Sequence, residues 1–490
     1  MKHVGILLPI FALPNRYGIG SLGKSSFRFI DFLSEAKQNF WQILPTNPTS
    51  YGDSPYQSFS SFAQNPYFID LELLVEDHLL TKKELKEAGL ENPTSTIHYG
   101  DIFYKKMALL KKTYSRRKKM QNAFSYYKRK NRYWLFDYAL FMVLKEKNQY
   151  RPWNMWDKEY KYRDLETLKH FYQENKMEVE TYMFLQFLYS RQWKALLKYA
   201  HKKKIEIIGD MPIYVAYDSV DVWSNPQYFL LDEFYLPKKV AGVPPDYFSE
   251  TGQLWGNPLY DYDKMAHDDY QWWINRIKES LKLYDFLRID HFRGFSAFYA
   301  IPYGQKDARN GEWIKGPGMN LFNTLKNKLG NAKIIAEDLG ILDDEVYELL
   351  KQTRFPGMKI LQFEMYSKEN IQKLKAKNRN TILYPGTHDN NTFVGWIKEE
   401  ASPLEKENVM NELNLKSWKY LNCALVKYCY QFPFDTTIIS MQDILGLPSF
   451  ARMNCPGSSS NNWQYRFSTK YFSKKVAKRL ARYKEKYVLQ

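Results

Sequence analysis

Cysteine is scarce in this chain of 490 residues: Cys423, Cys429 and Cys455 are an odd number at no metal-ligand spacing, which excludes a disulfide framework and a thiolate metal centre. Buried thiols in a reducing cytoplasm are the expectation. No apolar run approaches the length needed to span a bilayer, so a membrane partner is not expected. There is no phosphate-binding P-loop and no GxGxxG fingerprint after a strand. Of eight histidines only His291 and His388 adjoin candidate acids, and neither has a second histidine at metal-binding spacing. Neither a metal nor a cofactor is therefore expected. Low-complexity linkers are also missing, with Gly, Pro and Ser spread along the chain, so residues 1–490 read as one large domain with insertions.

What the chain has in quantity is aromatic side chains and positive charge. The aromatic share is 17%, with 13 Trp and 39 Tyr, more than packing usually needs, and sugar rings stack on such faces through their C–H surfaces. The net charge of +17 would suit an acidic partner, but much of it sits in Arg116-Arg117-Lys118-Lys119, Lys128-Arg129-Lys130 and a terminal basic helix. These read as solvated helix faces, and no nucleic-acid partner is expected. The start, Met1-Lys2-His3 followed by an apolar stretch, imitates a signal peptide, yet Pro9 and Pro14 interrupt it and Asn15-Arg16-Tyr17 follows in place of a cleavage site. It reads as the first strand of the fold.

Three strand ends carry the chemistry. Phe286-Leu287-Arg288-Ile289-Asp290-His291 is an apolar strand that ends in charge, followed by Gly294, as where a buried parallel strand emerges at its carboxyl end. Side chains alternate along a strand, so Arg288 and Asp290 lie on one side, and the guanidinium fork can hold the carboxylate ionised. A structural ion pair has the same pattern. Ile334-Ile335-Ala336-Glu337-Asp338 and Thr381-Ile382-Leu383-Tyr384, running on to His388-Asp389, repeat the arrangement, so three carboxylates can converge at one end of one sheet.

With Trp41-Gln42-Ile43-Leu44-Pro45-Thr46, Tyr51-Gly52-Asp53-Ser54-Pro55-Tyr56-Gln57, Gly209-Asp210-Met211-Pro212 and Gly252-Gln253-Leu254-Trp255-Gly256 in the same order, these segments resemble the 4-α-glucanotransferases, the amylomaltases of the α-amylase clan. The resemblance implies Asp290 as nucleophile, Glu337 as acid and base, and Asp389 as the group that holds the ring hydroxyls of a distorted sugar. It implies Tyr51, Ser54, Tyr56, Asp246, Trp255, Arg288 and His388 as substrate-binding. The implied partners are maltooligosaccharides or other α-1,4-glucans with glucose as acceptor, and the implied assembly is a monomer or weak homo-oligomer. Asp210 is implied to support the site without doing chemistry.

About eight strand-helix units in register predict a (β/α)₈ barrel. Strands are expected from Val4 to Ile10, at Phe40 to Leu44, Ile205 to Asp210, Phe286 to Asp290, Ile334 to Ala336, Met358 to Phe363, Thr381 to Tyr384, and near Thr437 to Ile444. Residues 71–176 read as a largely helical insertion after the second strand, and residues 216–265 as an irregular insertion after the third, with a lid presenting Tyr247 and Trp255. A single helix is expected through Leu413 to Tyr430, and a basic helix over 471–488 closes the ring.

Two other readings stay open. An α-1,4-glucan hydrolase would carry the same acids and differ only in whether water or a sugar takes the glucosyl group; Met211-Pro212-Ile213-Tyr214 after the third strand resembles the transferases. A glucan-binding protein without catalysis would have no need of all three acids.

Overall fold

The computed structural model describes residues 2–245, 249–340, 342–376, 379–458 and 460–488. Short apolar strands, nearly all buried, form a parallel sheet that curls into a barrel. In chain order the strands are β1 His3–Leu7, β2 Phe40–Gln42, β3 Glu206–Pro212, β4 Lys239–Val243, β5 Gln253–Pro258, β6 Phe286–Asp290, β7 Ala297–Pro302, β8 Glu312–Lys315, β9 Ile334–Ala336, β10 Gly357–Ile360, β11 Thr381–Tyr384 and β12 Thr436–Ser440. Eight of them pair in the order β10-β11-β12-β1-β2-β3-β6-β9, all parallel. The ends of this ladder, β9 and β10, meet through Ala336 N–H donating to Pro356 O at 2.9 Å and Met358 N–H donating to Asp338 Oδ1 at 2.5 Å. This closes the (β/α)₈ barrel. A Cβ at Gly357 would lie 2.7 Å from that same carboxylate, so the closure needs glycine there.

Between β2 and β3 the chain makes a run of helices, including Arg132–Lys147 and the 27-residue Lys176–Lys202, whose inward faces bury Tyr138, Phe141, Phe184 and Trp193. The excursions after β3 and β6 meet each other. β4 and β5 pair antiparallel, β4 pairs with β7, and β7 with β8, giving a four-stranded sheet in the order β5-β4-β7-β8 above the barrel. Asp246 and Tyr247 lie outside the described residues.

β2 ends at Gln42 instead of Leu44 and β3 runs Glu206–Pro212 instead of Ile205 to Asp210, and three other strand ends differ from the sequence reading for local reasons. β1 stops at Leu7 because Pro9 leads into a 3-10 turn at Ile10–Ala12. β10 stops at Ile360 and Leu361–Glu364 turns helical, and β12 stops at Ser440, whose hydroxyl accepts from Asp443 N–H at 3.1 Å and caps a helix over Met441–Leu445. The helix expected through 413–430 covers only the second part of that span: the preceding helix Pro403–Glu412 ends before Asn414 at φ 49°, and Leu421–Gln431 begins after extended Ser417 and a 3-10 turn. No helix among the described residues is long and apolar enough to cross a membrane.

Candidate active site

At the carboxyl end of the barrel the exits of β3, β6, β9 and β11 bring their acids together. Arg288 is the pivot. Its Nη2 donates to Asp290 Oδ1 at 2.8 Å and its Nη1 to Asp210 Oδ1 at 2.6 Å, with the side chain only 4% exposed. The other Asp210 oxygen accepts from Tyr56 Oη at 2.6 Å, and the Tyr56 ring stacks on His388 at 5.0 Å between centroids. Against the cost of burial, Asp210 and Asp290 hold the guanidinium charged. Asp290 is thereby aimed and paired, while 28% of its side chain still faces the pocket.

Glu337 follows β9 directly, and both its oxygens are held by main-chain donors: Oε2 by His291 N–H at 2.6 Å and Oε1 by Leu339 N–H at 2.8 Å. His291 itself sits in the left-handed region, φ 54°, where the chain leaves β6. Burial, with the like charge of Asp290 added, pushes the Glu337 carboxyl up to about 7, over the opposing pull of Arg288 and the two amides. Burial raises Asp290 as well, against Arg288. The pair therefore resists holding two negative charges. We expect Asp290→Asn, by removing the like charge, to lower the titration of Glu337 from about 7 toward the usual carboxylate range. Isotope-edited infrared or carbon NMR of Glu337 reads this directly, and an unmoved midpoint would show that burial alone sets it.

Asp389, beyond β11, behaves in the opposite way. Desolvation opposes its charge, but His388, 3.3 Å away at Nε2, the Asn454 amide and Arg288 outweigh it and bring the carboxyl down to about 2. Asp389 raises His388 in return, against burial. One carboxyl near 7 and one near 2 at the same barrel end are suited, respectively, to carrying a proton and to staying charged.

Trp255 on β5 stands edge-on to His291 at 4.8 Å between ring centroids, placing the four-stranded sheet at the rim of the acids. His291 is neutral, since burial and then Arg293 bring it down to about 3, and its Nε2 is buried without a hydrogen-bond partner. Ser54 works locally, accepting from Tyr56 N–H at 3.2 Å. Tyr51 shares none of these contacts. Its ring is 61% exposed, its hydroxyl donates to Tyr150 O, and it lines a separate cavity of about 470 Å³ with Tyr67, Tyr99 and Phe103. Asp246 lies outside the described residues. Among the described residues no three His, Cys, Asp or Glu side chains form a metal-ligand set. Sequence reasoning gave Asn454 no role at the site, although the loop that carries it, Ala451-Arg452-Met453-Asn454-Cys455-Pro456-Gly457, resembles the family.

The comparisons with known proteins point the same way. The 4-alpha-glucanotransferase family profile matches residues 8–471. The chain is 47% identical over 476 residues to a 4-alpha-glucanotransferase of Clostridium butyricum, covering 96% of this chain and 98% of that one. It is 40% identical over 478 residues to that of Thermus thermophilus, covering 95% and 94%. The solved amylomaltase from Streptococcus agalactiae in complex with acarbose superposes with a TM-score of 0.96 at 37% identity, over 99% of both chains. By profile, sequence and structure, the chain belongs to the 4-alpha-glucanotransferase family.

Proposed function

We propose that the chain moves a segment of an α-1,4-glucan to the 4-hydroxyl of glucose or of another maltooligosaccharide by double displacement with retention, on Asp290, Glu337 and Asp389. The observation that carries this assignment is the contrast between Glu337, raised to about 7 yet fixed by two amides, and Asp290, paired with Arg288 at 2.8 Å. In the first step an Asp290 oxygen bonds to the anomeric carbon as the glycosidic C–O bond breaks, and the Glu337 proton goes to the leaving oxygen. In the second, Glu337 takes the proton of the acceptor 4-hydroxyl, which displaces Asp290. Asp389 remains an anion throughout and holds the hydroxyls of the ring at the reacting carbon, with His388 and Arg288 beside it. The acarbose bound to the Streptococcus agalactiae protein supports a glucan-shaped cleft here. Three free thiols suit a cytoplasmic location.

Incubation with maltotriose tests the reading. A ladder of longer maltooligosaccharides with glucose supports it, whereas glucose and maltose alone would mean hydrolysis. The kcat/KM should fall as pH rises through about 7, because Glu337 must carry its proton to act as the acid.

Trp255 is assigned to the acceptor. Transfer beats hydrolysis only if a sugar stays long enough to react before water does, and stacking worth about 0.5–1.5 kcal/mol per ring tilts that competition about two- to ten-fold. Trp255→Ala should raise the hydrolysis-to-transfer ratio or the KM for maltooligosaccharides by that factor, with little change in the chemical step. Tyr51→Ala, at the separate aromatic cavity, should act on KM for long glucans only. Unchanged ratios and unchanged KM in both variants would make these rings structural.

A further inference from the structure

The loop after β12 reaches back over the barrel mouth to Asp389. Asn454 donates from Nδ2 to Asp389 Oδ1 at 2.6 Å, and its main-chain N–H donates to His388 O at 3.1 Å. Arg452 straps the same loop down: Nη2 donates to Asp389 O at 2.9 Å, Nε to Asn454 O at 2.7 Å, and Nη1 reaches Glu400 Oε1 at 3.2 Å. Glu400 is itself fixed by Asn391 Nδ2 at 2.7 Å. On the other side, Asp389 Oδ2 lies 3.3 Å from His388 Nε2. Oδ1 therefore has an amide donor and Oδ2 an ion-pair partner, and turning the carboxylate plane gives up one of the two. This matters because 45% of the Asp389 side chain is exposed.

We propose that Asn454 is a positioning residue for the transfer reaction, its amide fixing the Asp389 carboxylate against the reacting sugar while Arg452 locks the loop that carries it. The inference rests on the reading of Asp389 given above. An amide suits the task because it donates without titrating, so the carboxylate keeps its partner at every working pH. The charged and titratable groups facing Asp389 are His388, Arg288, Asp290 and Tyr56 from the barrel, with Arg452 and Glu400 behind the loop.

The experiment compares Asn454→Ala, Asn454→Asp, Asp389→Asn and the double variant Asp389→Asn/Asn454→Ala in maltotriose disproportionation, with kcat and KM followed from about pH 4 to 9. Asn454→Ala should lower kcat about 10- to 100-fold while KM moves less than about three-fold, and should cost nothing further on the Asp389→Asn background. Asn454→Asp keeps the shape but sets a second carboxyl in the place of a donor now 2.6 Å from Asp389, so the pair must share a proton. Its activity should approach wild type at low pH and fall away at lower pH than wild type does. A merely structural asparagine would leave the profile's shape unchanged. Asn454→Asp, being isosteric, carries the test if the alanine variant does not fold. The inference is overturned if Asp389→Asn is inactive while both Asn454 variants keep wild-type kcat and pH profile, or if the double variant loses activity additively. If Asp389→Asn itself keeps wild-type kcat, the assignment of Asp389 falls first and this one with it.

Discussion

Asp290→Asn and Glu337→Gln should each lower glucan transfer by several orders of magnitude, every factor of ten corresponding to about 1.4 kcal/mol of barrier, with the fold retained. Both groups act only as the transition state forms, so KM should change far less than kcat. The two losses are separable by the leaving group. A maltosyl fluoride donor departs without needing a proton, so Glu337→Gln should still form the glucosyl-enzyme from it, whereas Asp290→Asn should not. Retention of the fold is expected because the asparagine of the first variant keeps an oxygen for Arg288, and because the glutamine of the second keeps one acceptor for the amides of His291 and Leu339. Near-native transfer by either variant, alongside a native melting curve, would refute its assigned role.

Arg288→Ala should be the most damaging of these changes to stability, and should impair activity as well. The guanidinium is buried between two acids, at 2.6 Å from Asp210 and 2.8 Å from Asp290. Removing it leaves two buried carboxylates without their cation, which costs on the order of 3–5 kcal/mol, and frees the nucleophile to rotate. Loss of the cation removes what opposes the burial-raised proton affinity of Asp290, so the instability should be worst at high pH and lessen as pH falls and Asp290 protonates. Arg288→Lys should recover part of the stability and little of the activity, since an ammonium cannot hold two carboxylates in the planar geometry of the fork. Denaturant unfolding and maltotriose kinetics measure the two effects, and a lysine variant with full activity would show that the fork geometry is irrelevant.

The barrel and its acids were readable because buried parallel strands leave a plain mark: an uninterrupted apolar run, an acid at its exit, a helix behind. Arg288 and Asp290 were placed together by strand alternation alone. The four-stranded sheet left no such mark, because β4 and β5 are Gly-containing and not uniformly apolar, and the second partner of β4, β7, comes from the excursion after β6, so that pairing is non-local. Asn454 is 65 residues from Asp389, and nothing in its neighbours says which acid the loop will meet. Tyr51 shows the converse: an aromatic residue in a Pro- and Ser-rich loop looks the same whether it faces the acids or, as here, a cavity beside them. The unbroken helix over 413–430 failed on Asn414, whose left-handed backbone a periodicity count does not see.

The turn at His291 ties Glu337 to the strand of Asp290 by main chain, with no side chain as intermediary. The place of the Glu337 carboxylate beside the end of β6 is thus set by main chain, and Arg288 needs only to aim Asp290 toward it. Loops around the rim can be exchanged, lengthened or re-lined with different aromatics without retuning that placement. A chain built this way lets lineage or laboratory vary which glucans are cut and which sugars receive them, while the bond-making apparatus is inherited unchanged.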